Sequence, residues 1–287
     1  RVPRQVPQLP ESYSPREELF EDIVSRLTTK DGEGCVRLAA RGMGGSGKTI
    51  LAAAVATAPR VLSHFDVIAW VAFGQRPSLT ELQRVVLTQL GGTAPAEADE
   101  AQLLEALHAA AADRRVLLVI DDAWHLDHER ALYCLDETTR SACLLTTRIS
   151  GLVKGFHELE LQQLDREEAL ALLLRAGEVD LDACAEPTVA REAAYSAVEL
   201  CGRLPLCLAI AGAMILEHAD DWDTWLVPAL RDSHGAELRE RSAAAMGGAD
   251  AEGGALSVEE RVLRASLRSI KDEERVGVTA LFDVCAC

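Results

Sequence analysis

The sequence predicts an α/β fold, a parallel sheet covered by helices, followed by an all-helical unit. Three observations carry that expectation. Short apolar runs alternate with helical stretches from Cys35 to Glu160, as buried parallel strands joined by crossover helices do. After Glu160 the strand signals stop while helical periodicity continues. Only 4% of residues are aromatic whereas Ala, Leu, Glu and Arg abound, which favours packed helices around one sheet over an all-β design.

Taken in order, Arg1–Pro10 carries three prolines without periodicity and reads as a linker. A helical pattern begins near Ser14, with Leu19, Phe20, Ile23, Val24 and Leu27 on one face. Strands are expected over Cys35–Ala40, Val67–Phe73, Val116–Ile120 and Cys143–Thr146, with helices over 48–57, 79–90 and 99–112. Further helices are expected over 165–176, 188–201, 205–217, 222–231, 256–268 and 273–286. The small, acidic stretch Gly247–Gly254 reads as a flexible loop, and Leu256–Leu267 as the opening of a third unit. The expected domains are therefore 1–31 (linker and opening helix), 32–158 (sheet domain), 159–246 (helical domain) and 247–287 (loop and third unit).

Charge and cysteine usage exclude several functions. Forty-six acidic against 29 basic residues give a net charge of −17, so direct binding to nucleic acid or to an anionic membrane is not expected. The eight cysteines are scattered, form no CxxC pair, and include Cys35, Cys143, Cys201 and Cys207 inside apolar stretches. They read as reduced, buried thiols of a cytoplasmic protein. Neither a signal-peptide pattern nor an apolar run of the ~18 residues that span a bilayer is present.

Gly42-Met43-Gly44-Gly45-Ser46-Gly47-Lys48-Thr49 follows the first expected strand, opens a helix and fits G-x-x-x-x-G-K-[ST] at every fixed position, marking a P-loop NTPase. Its glycines let backbone N–H groups turn around anionic oxygens, Lys48 adds charge toward the β- and γ-phosphates, and Thr49 offers a hydroxyl to Mg²⁺. Ile50, one residue on, completes the candidate phosphate-binding run. Gly42-x-Gly44-x-x-Gly47 also matches the dinucleotide fingerprint G-x-G-x-x-G. That fingerprint expects an acidic residue at the end of the second strand, where Gly74-Gln75-Arg76 stands, and gives Lys48-Thr49 no role.

Val116–Ile120 ends in Asp121-Asp122, the form of a Walker B strand lying beside the P-loop strand in the sheet. Asp121 would hold Mg²⁺ and Asp122 would orient or polarise the attacking water. Leu144-Leu145-Thr146-Thr147-Arg148 ends another strand at the same carboxyl edge, where ligands of open α/β sheets bind. Arg148 is thus a candidate γ-phosphate sensor, the alternative being a solvated Arg at a strand end.

These elements in this order resemble the NB-ARC family of STAND-class signalling NTPases, known from plant disease-resistance proteins and apoptotic protease-activating factors. Leu118-Val119-Ile120-Asp121-Asp122-Ala123-Trp124 resembles the family's LLVLDDVW, and Leu144–Arg148 its strand ending in TTR. Cys201-Gly202-Arg203-Leu204-Pro205-Leu206-Cys207-Leu208 is similar to CGGLPLAL, with Arg203 at the second glycine. Leu159-Glu160-Leu161, Leu164 and Glu167-Glu168-Ala169-Leu170 resemble the segment leading into the helical ARC domain.

The resemblance implies that Pro205 packs against adenine with Leu206 beside it, and that Arg16 lies near the nucleotide. Pro205 equally suits the first turn of a helix for structural reasons alone. Leu281–Cys287 resembles the start of the family's winged-helix domain. The fold implied is a P-loop domain, an ARC domain and the start of a winged helix, with ADP or ATP and Mg²⁺ at the junction of the first two. The implied function is an ADP/ATP-binding molecular switch of immune or cell-death signalling. It would be closed with ADP and able to self-assemble as a homo-oligomer with ATP, inside a longer protein with effector and sensor domains. It would be at most a slow ATPase. The rivals are a regulatory NTPase module of a transcription regulator, a less favoured small-molecule kinase, and a degenerate scaffold that binds nucleotide without hydrolysing it, against which the intact Lys48, Thr49, Asp121 and Asp122 argue.

Two weaker groupings have ordinary explanations. His125 and His128, with Asp127 and Glu129 nearby, read as solvated side chains of a polar loop, short of a metal ligand set. Trp222 and Trp225, three apart on an expected helix, read as core.

Overall fold

Val67–Ala72 (β2), Val116–Ala123 (β3) and Ala142–Thr147 (β4) lack polar alternation because both faces of the sheet they build are covered. The computed structural model of the chain describes residues 2–10, 13, 15–28, 35–74, 77–152, 155–231, Val258 and Val262. The expected loop at 247–254, the third unit and the helix at 273–286 lie outside the described residues, as does the helix at 256–268 apart from those two valines. The chain parts into two compact units: Arg1–Met43 with Gly47–Gln162, and Gly44–Ser46 with Gln163–Cys287.

In the first unit, Val36–Gly42 (β1) and His157–Leu161 (β5) complete a five-stranded sheet of order β2-β3-β4-β1-β5, every pairing parallel. Leu38, Ala40, Trp70, Val119 and Leu144 point to one face. There they pack with Glu17–Thr28 (α1), Lys48–Thr57 (α2) and Pro59–His64 (α3) through Ile23, Leu51 and Val61. Their chain neighbours Ala39, Val71, Leu118, Ile120 and Leu145 face the other way. They meet Leu79–Gln89 (α4), Glu100–Ala111 (α5) and Leu126–Leu132 (α6) through Val86, Leu107 and Leu132. Side chains alternate along a strand, so one apolar run feeds both cores.

Four expectations are corrected. β3 does not lie beside β1, because β4 is inserted between them and pairs with both. A fifth strand follows Phe156 although its sequence HELEL carries two glutamates: as an edge strand it buries only Leu159 and Leu161, and Glu160 pairs with Arg41 of β1. The segment after Trp124 is the helix α6 and not a polar loop, and α3 begins on a proline at its first turn, where the missing N–H costs nothing. Cys35 is half-buried, whereas Cys134, Cys143, Cys201 and Cys207 are buried and in no disulfide. Burial pushes the Cys134 thiol up to about 12, which leaves it inert.

The outer edge of β2 is closed by a side chain. Gln89, at the end of α4, accepts the Trp70 N–H at 2.7 Å and donates to the Trp70 carbonyl at 2.9 Å, pairing like a strand residue. Gln89→Ala is expected to cost about 2 kcal/mol, one unit for each lost bond. The bared edge should also promote association. The denaturation midpoint and light scattering on warming check both, and an unchanged midpoint would refute the edge-closing role.

The second unit is helical over its described elements: Arg166–Ala176 (α7), Pro187–Leu200 (α8) and Pro205–Glu217 (α9), with a 3₁₀ turn at Leu181–Ala183 and helical residues 222–231. Asp165 and Glu168 form a reciprocal capping box that starts α7. Leu170, Leu173, Ala194, Val198, Leu208, Ile215 and Trp222 share the core, so Trp222 is the core residue expected, while half-buried Trp225 stacks on His218 at 3.6 Å.

Between α8 and α9 the chain reverses through Gly202 (φ 61) and Arg203 (φ 54), both left-handed. The Arg203 N–H closes α8 on the Val198 carbonyl at 3.2 Å, and extended Leu204 precedes Pro205 as a pre-proline residue should. A side chain in the left-handed region costs about 1 kcal/mol, so Arg203→Gly is expected to stabilise the second unit by roughly that much. A urea midpoint that falls would show that the 3.3 Å bond from Arg203 Nη2 to Gln163 Oε1 outweighs the strain.

Candidate functional site

β1 runs in the interior of the sheet, flanked by β4 and β5, and delivers the glycine loop to the carboxyl edge. Gly45 (φ 65) and Gly47 (φ 91) adopt left-handed conformations that a side chain would strain, and Gly47 caps α2. The loop is thereby bared of side chains at the N-terminus of a helix, where N–H groups and the helix dipole favour anions. Lys48, 7% exposed, turns its Nζ back on the Gly42 and Met43 carbonyls at 3.0 and 2.7 Å. Met43 is exposed, Ser46 buried and Ile50 half-buried.

Asp121 sits at the carboxyl end of β3, one strand removed from β1, and still reaches the loop. Thr49 Oγ1 lies 2.9 and 3.0 Å from its two carboxylate oxygens, and Thr146 Oγ1 of the intervening β4 donates to Oδ1 at 2.6 Å. Burial pushes the Asp121 carboxyl above its ordinary range. The threonine hydroxyls and Lys48 oppose that rise, and the Asp122 charge adds to it. Thr49 and Asp121 are hard oxygen donors that fit Mg²⁺, which takes one or two protein ligands and completes its shell with water and phosphate oxygens. Among the described residues no group of three or more His, Cys, Asp or Glu could hold a metal, so His125 and Glu129 join no such site. The His128 side chain lies outside the described residues.

Asp122 is set apart from Asp121 by a register shift between Ile120 and Ala123 and by φ 54. Its N–H donates to Thr146 Oγ1 at 2.9 Å, its Oδ2 accepts the Trp124 indole N–H at 3.0 Å, and Arg148 Nε stands 3.7 Å from its Oδ1. The Arg148 guanidinium carbon lies 5.5 Å from the Trp124 ring centroid. Asp122 and Arg148, expected to serve water and γ-phosphate separately, are thus brought together. Arg16 Nη1 donates to the Gln162 carbonyl, one residue beyond Leu161, the register partner of Gly42. In the second unit Pro205 opens α9, Leu206 is exposed, and its N–H donates to the Gly45 carbonyl at 3.2 Å.

Thr146 and Trp124 were not singled out from sequence as site residues. A threonine ending an apolar, fully buried strand was the signal available for Thr146, since its hydroxyl needs a partner.

The NB-ARC domain model matches residues 16–179, more than half of the chain. Regulatory protein AfsR of Streptomyces griseus is 32% identical over 79% of this chain and 23% of its own length. Disease resistance protein RPM1 of Arabidopsis thaliana is 30% identical over 67% and 22%. The putative late blight resistance protein homolog R1B-14 of Solanum demissum is 27% identical over 72% and 16%, so the chain spans under a quarter of each of these relatives. Among solved structures, the ORC2 protein of Aeropyrum pernix in its ADP form superposes with a TM-score of 0.56 at 18% identity, covering 91% of this chain and 82% of that one. Drosophila ORC bound to DNA gives 0.55 at 17%, covering 92% and 80%. At such identities the likeness is one of fold. With the P-loop, the Asp121-Asp122 strand end and Arg148 just beyond β4 all inside the matched span, the chain belongs to the NB-ARC family of STAND-class NTPases.

Proposed function

We propose that this chain is the ADP/ATP-binding switch module of a larger signalling protein. The observation that carries the reading is the Thr49–Asp121 contact at 2.9 and 3.0 Å, formed across β4 beside an intact glycine loop. Two oxygen donors held in contact beside an anion cradle are what a Mg·nucleotide complex requires. Lys48 and the loop N–H groups bind the phosphates, Thr49 and Asp121 hold Mg²⁺, Asp122 orients water, and Arg148 reads the γ-phosphate. Mg²⁺, when bound, neutralises charge on the β- and γ-phosphate oxygens. The helical second unit serves as the ARC domain, with Pro205 and Leu206 against adenine and Arg16 near the nucleotide. ADP keeps the module closed, and ATP permits opening and self-assembly with flanking effector and sensor domains. The module is at most a slow ATPase.

The test is to denature the purified chain, identify released nucleotide by ion-pair chromatography, and compare an Asp121→Ala preparation. Copurified ADP that is lost or reduced in the variant supports the switch. A folded chain without ADP or ATP affinity in the presence of Mg²⁺ would refute it. A second reading is the regulatory module of a transcription regulator; behind it stands only that AfsR, 32% identical over 79% of this chain, is named a regulatory protein. It keeps the same nucleotide chemistry and assigns a DNA-binding role to a separate part of the longer protein.

A further inference from the structure

The Asp122–Trp124–Arg148 cluster asks more of the indole than core packing. Asp122 has a left-handed backbone in a bulged strand, fixed by its N–H to Thr146 Oγ1 at 2.9 Å. The backbone is anchored, yet the carboxylate could still turn about two side-chain torsions. Two groups hold it. The Trp124 indole, a donor only, takes Oδ2 at 3.0 Å, and Arg148 Nε stands 3.7 Å from Oδ1. The two holds differ in kind. Trp124 is half-buried and turns about only two side-chain torsions, whereas the Arg148 side chain is 50% exposed on a longer stem with its guanidinium carbon 5.5 Å from the indole centroid. A guanidinium so placed is drawn to a new anion more readily than the indole is.

We propose that Trp124 is a positioning residue of the nucleotide site, keeping Asp122 aimed through its indole N–H when Arg148 leaves Oδ1 for the γ-phosphate of ATP. The inference rests on the nucleotide reading above. With Arg148 drawn away, Oδ1 is free to accept a hydrogen bond from water, and Oδ2 remains fixed. As the water oxygen bonds to the γ-phosphorus, the bond from phosphorus to the β,γ-bridging oxygen breaks and ADP leaves with its electron pair. The water proton passes through Asp122 Oδ1 to an oxygen of the released phosphate, restoring the carboxylate. Trp124 touches neither water nor phosphate and acts only through Asp122.

The test uses the whole chain, ¹⁵N-labelled, and follows its four indole N–H resonances. Asp122→Asn, which keeps Trp124, is expected to move one resonance strongly, the one that Trp124→Phe removes. Single-turnover hydrolysis of Mg·ATP by Trp124→Phe should fall about tenfold, the effect of one hydrogen bond to a charged group, with ATP affinity changed by less than about twofold. Indole resonances indifferent to Asp122→Asn, or a Trp124→Phe chain with unaltered turnover, overturn the proposal and leave the switch standing. ATP bound but never hydrolysed by the unaltered chain does the same. A folded, unaltered chain that binds no ATP sinks both.

Discussion

Lys48→Ala is expected to weaken ATP and ADP binding by at least about 100-fold while moving the unfolding temperature of the nucleotide-free chain by no more than about 2 °C. The two halves of that expectation have different origins. A hydrogen bond to a charged group contributes ~1.5–3 kcal/mol, and a lysine bridging two phosphates loses two of them, which at ~1.4 kcal/mol per decade reaches the stated loss. In the structure Lys48 is 7% exposed and its ammonium holds two carbonyls of its own loop. Removing it forfeits those bonds and also removes the cost of keeping a cation out of water, so the terms largely offset. Titration calorimetry beside differential scanning calorimetry separates them. A loss of affinity under about tenfold would mean that the loop N–H groups carry the phosphates without the lysine.

Those two lysine contacts illustrate what the sequence made legible. A phosphate loop is read from letters because its geometry is local: strand, bared turn, helix, with the functional groups within eight residues of one another. Helices α2 and α9 were legible for the same reason, each starting at a local signal, the phosphate loop and Pro205, and both were expected at their observed bounds. What stayed hidden is non-local. The order of strands depends on which crossover lands where, so the insertion of β4 between β1 and β3 could not be read from runs of apolar residues. That insertion makes Thr146 the bridge to Asp121. β5 escaped because the one cation that its two carboxylates share, Arg41, is more than 100 residues earlier. Trp124 was quoted as a letter of a motif, and only its 3.0 Å bond to Asp122 turns it into a positioning group. At Arg203 the departure from glycine was visible in the letters, but that it sits at φ 54 was not.

The same dependence on close approach makes Gly212→Val the most disruptive substitution foreseen outside the phosphate loop. A Cβ built at Gly212 would lie 2.5 Å from Ala176 Cβ, 2.8 Å from the Ala176 carbonyl carbon and 2.9 Å from Gly177 N, two of which are backbone atoms that cannot rotate away. The crossing is tight from both sides, since a Cβ at Gly177 would meet Ile215 at 3.1 Å. α7 and α9 would have to part, opening the core that Leu173, Ala169, Leu208 and Ala211 share. Overpacking of this kind costs roughly 3 kcal/mol, and valine adds a β-branch in mid-helix. Gly212→Ala should cost less, because about 1 kcal/mol of helix propensity returns with the methyl group. Hydrogen exchange read by peptide is the measurement of choice, since it separates the units. Amides within 166–217 should lose protection in Gly212→Val, with Gly212→Ala intermediate, while the β1, β3 and β4 peptides keep theirs. Unaltered protection across 166–217 would mean that α7 and α9 can separate at little cost and that their close crossing does not hold the second unit together.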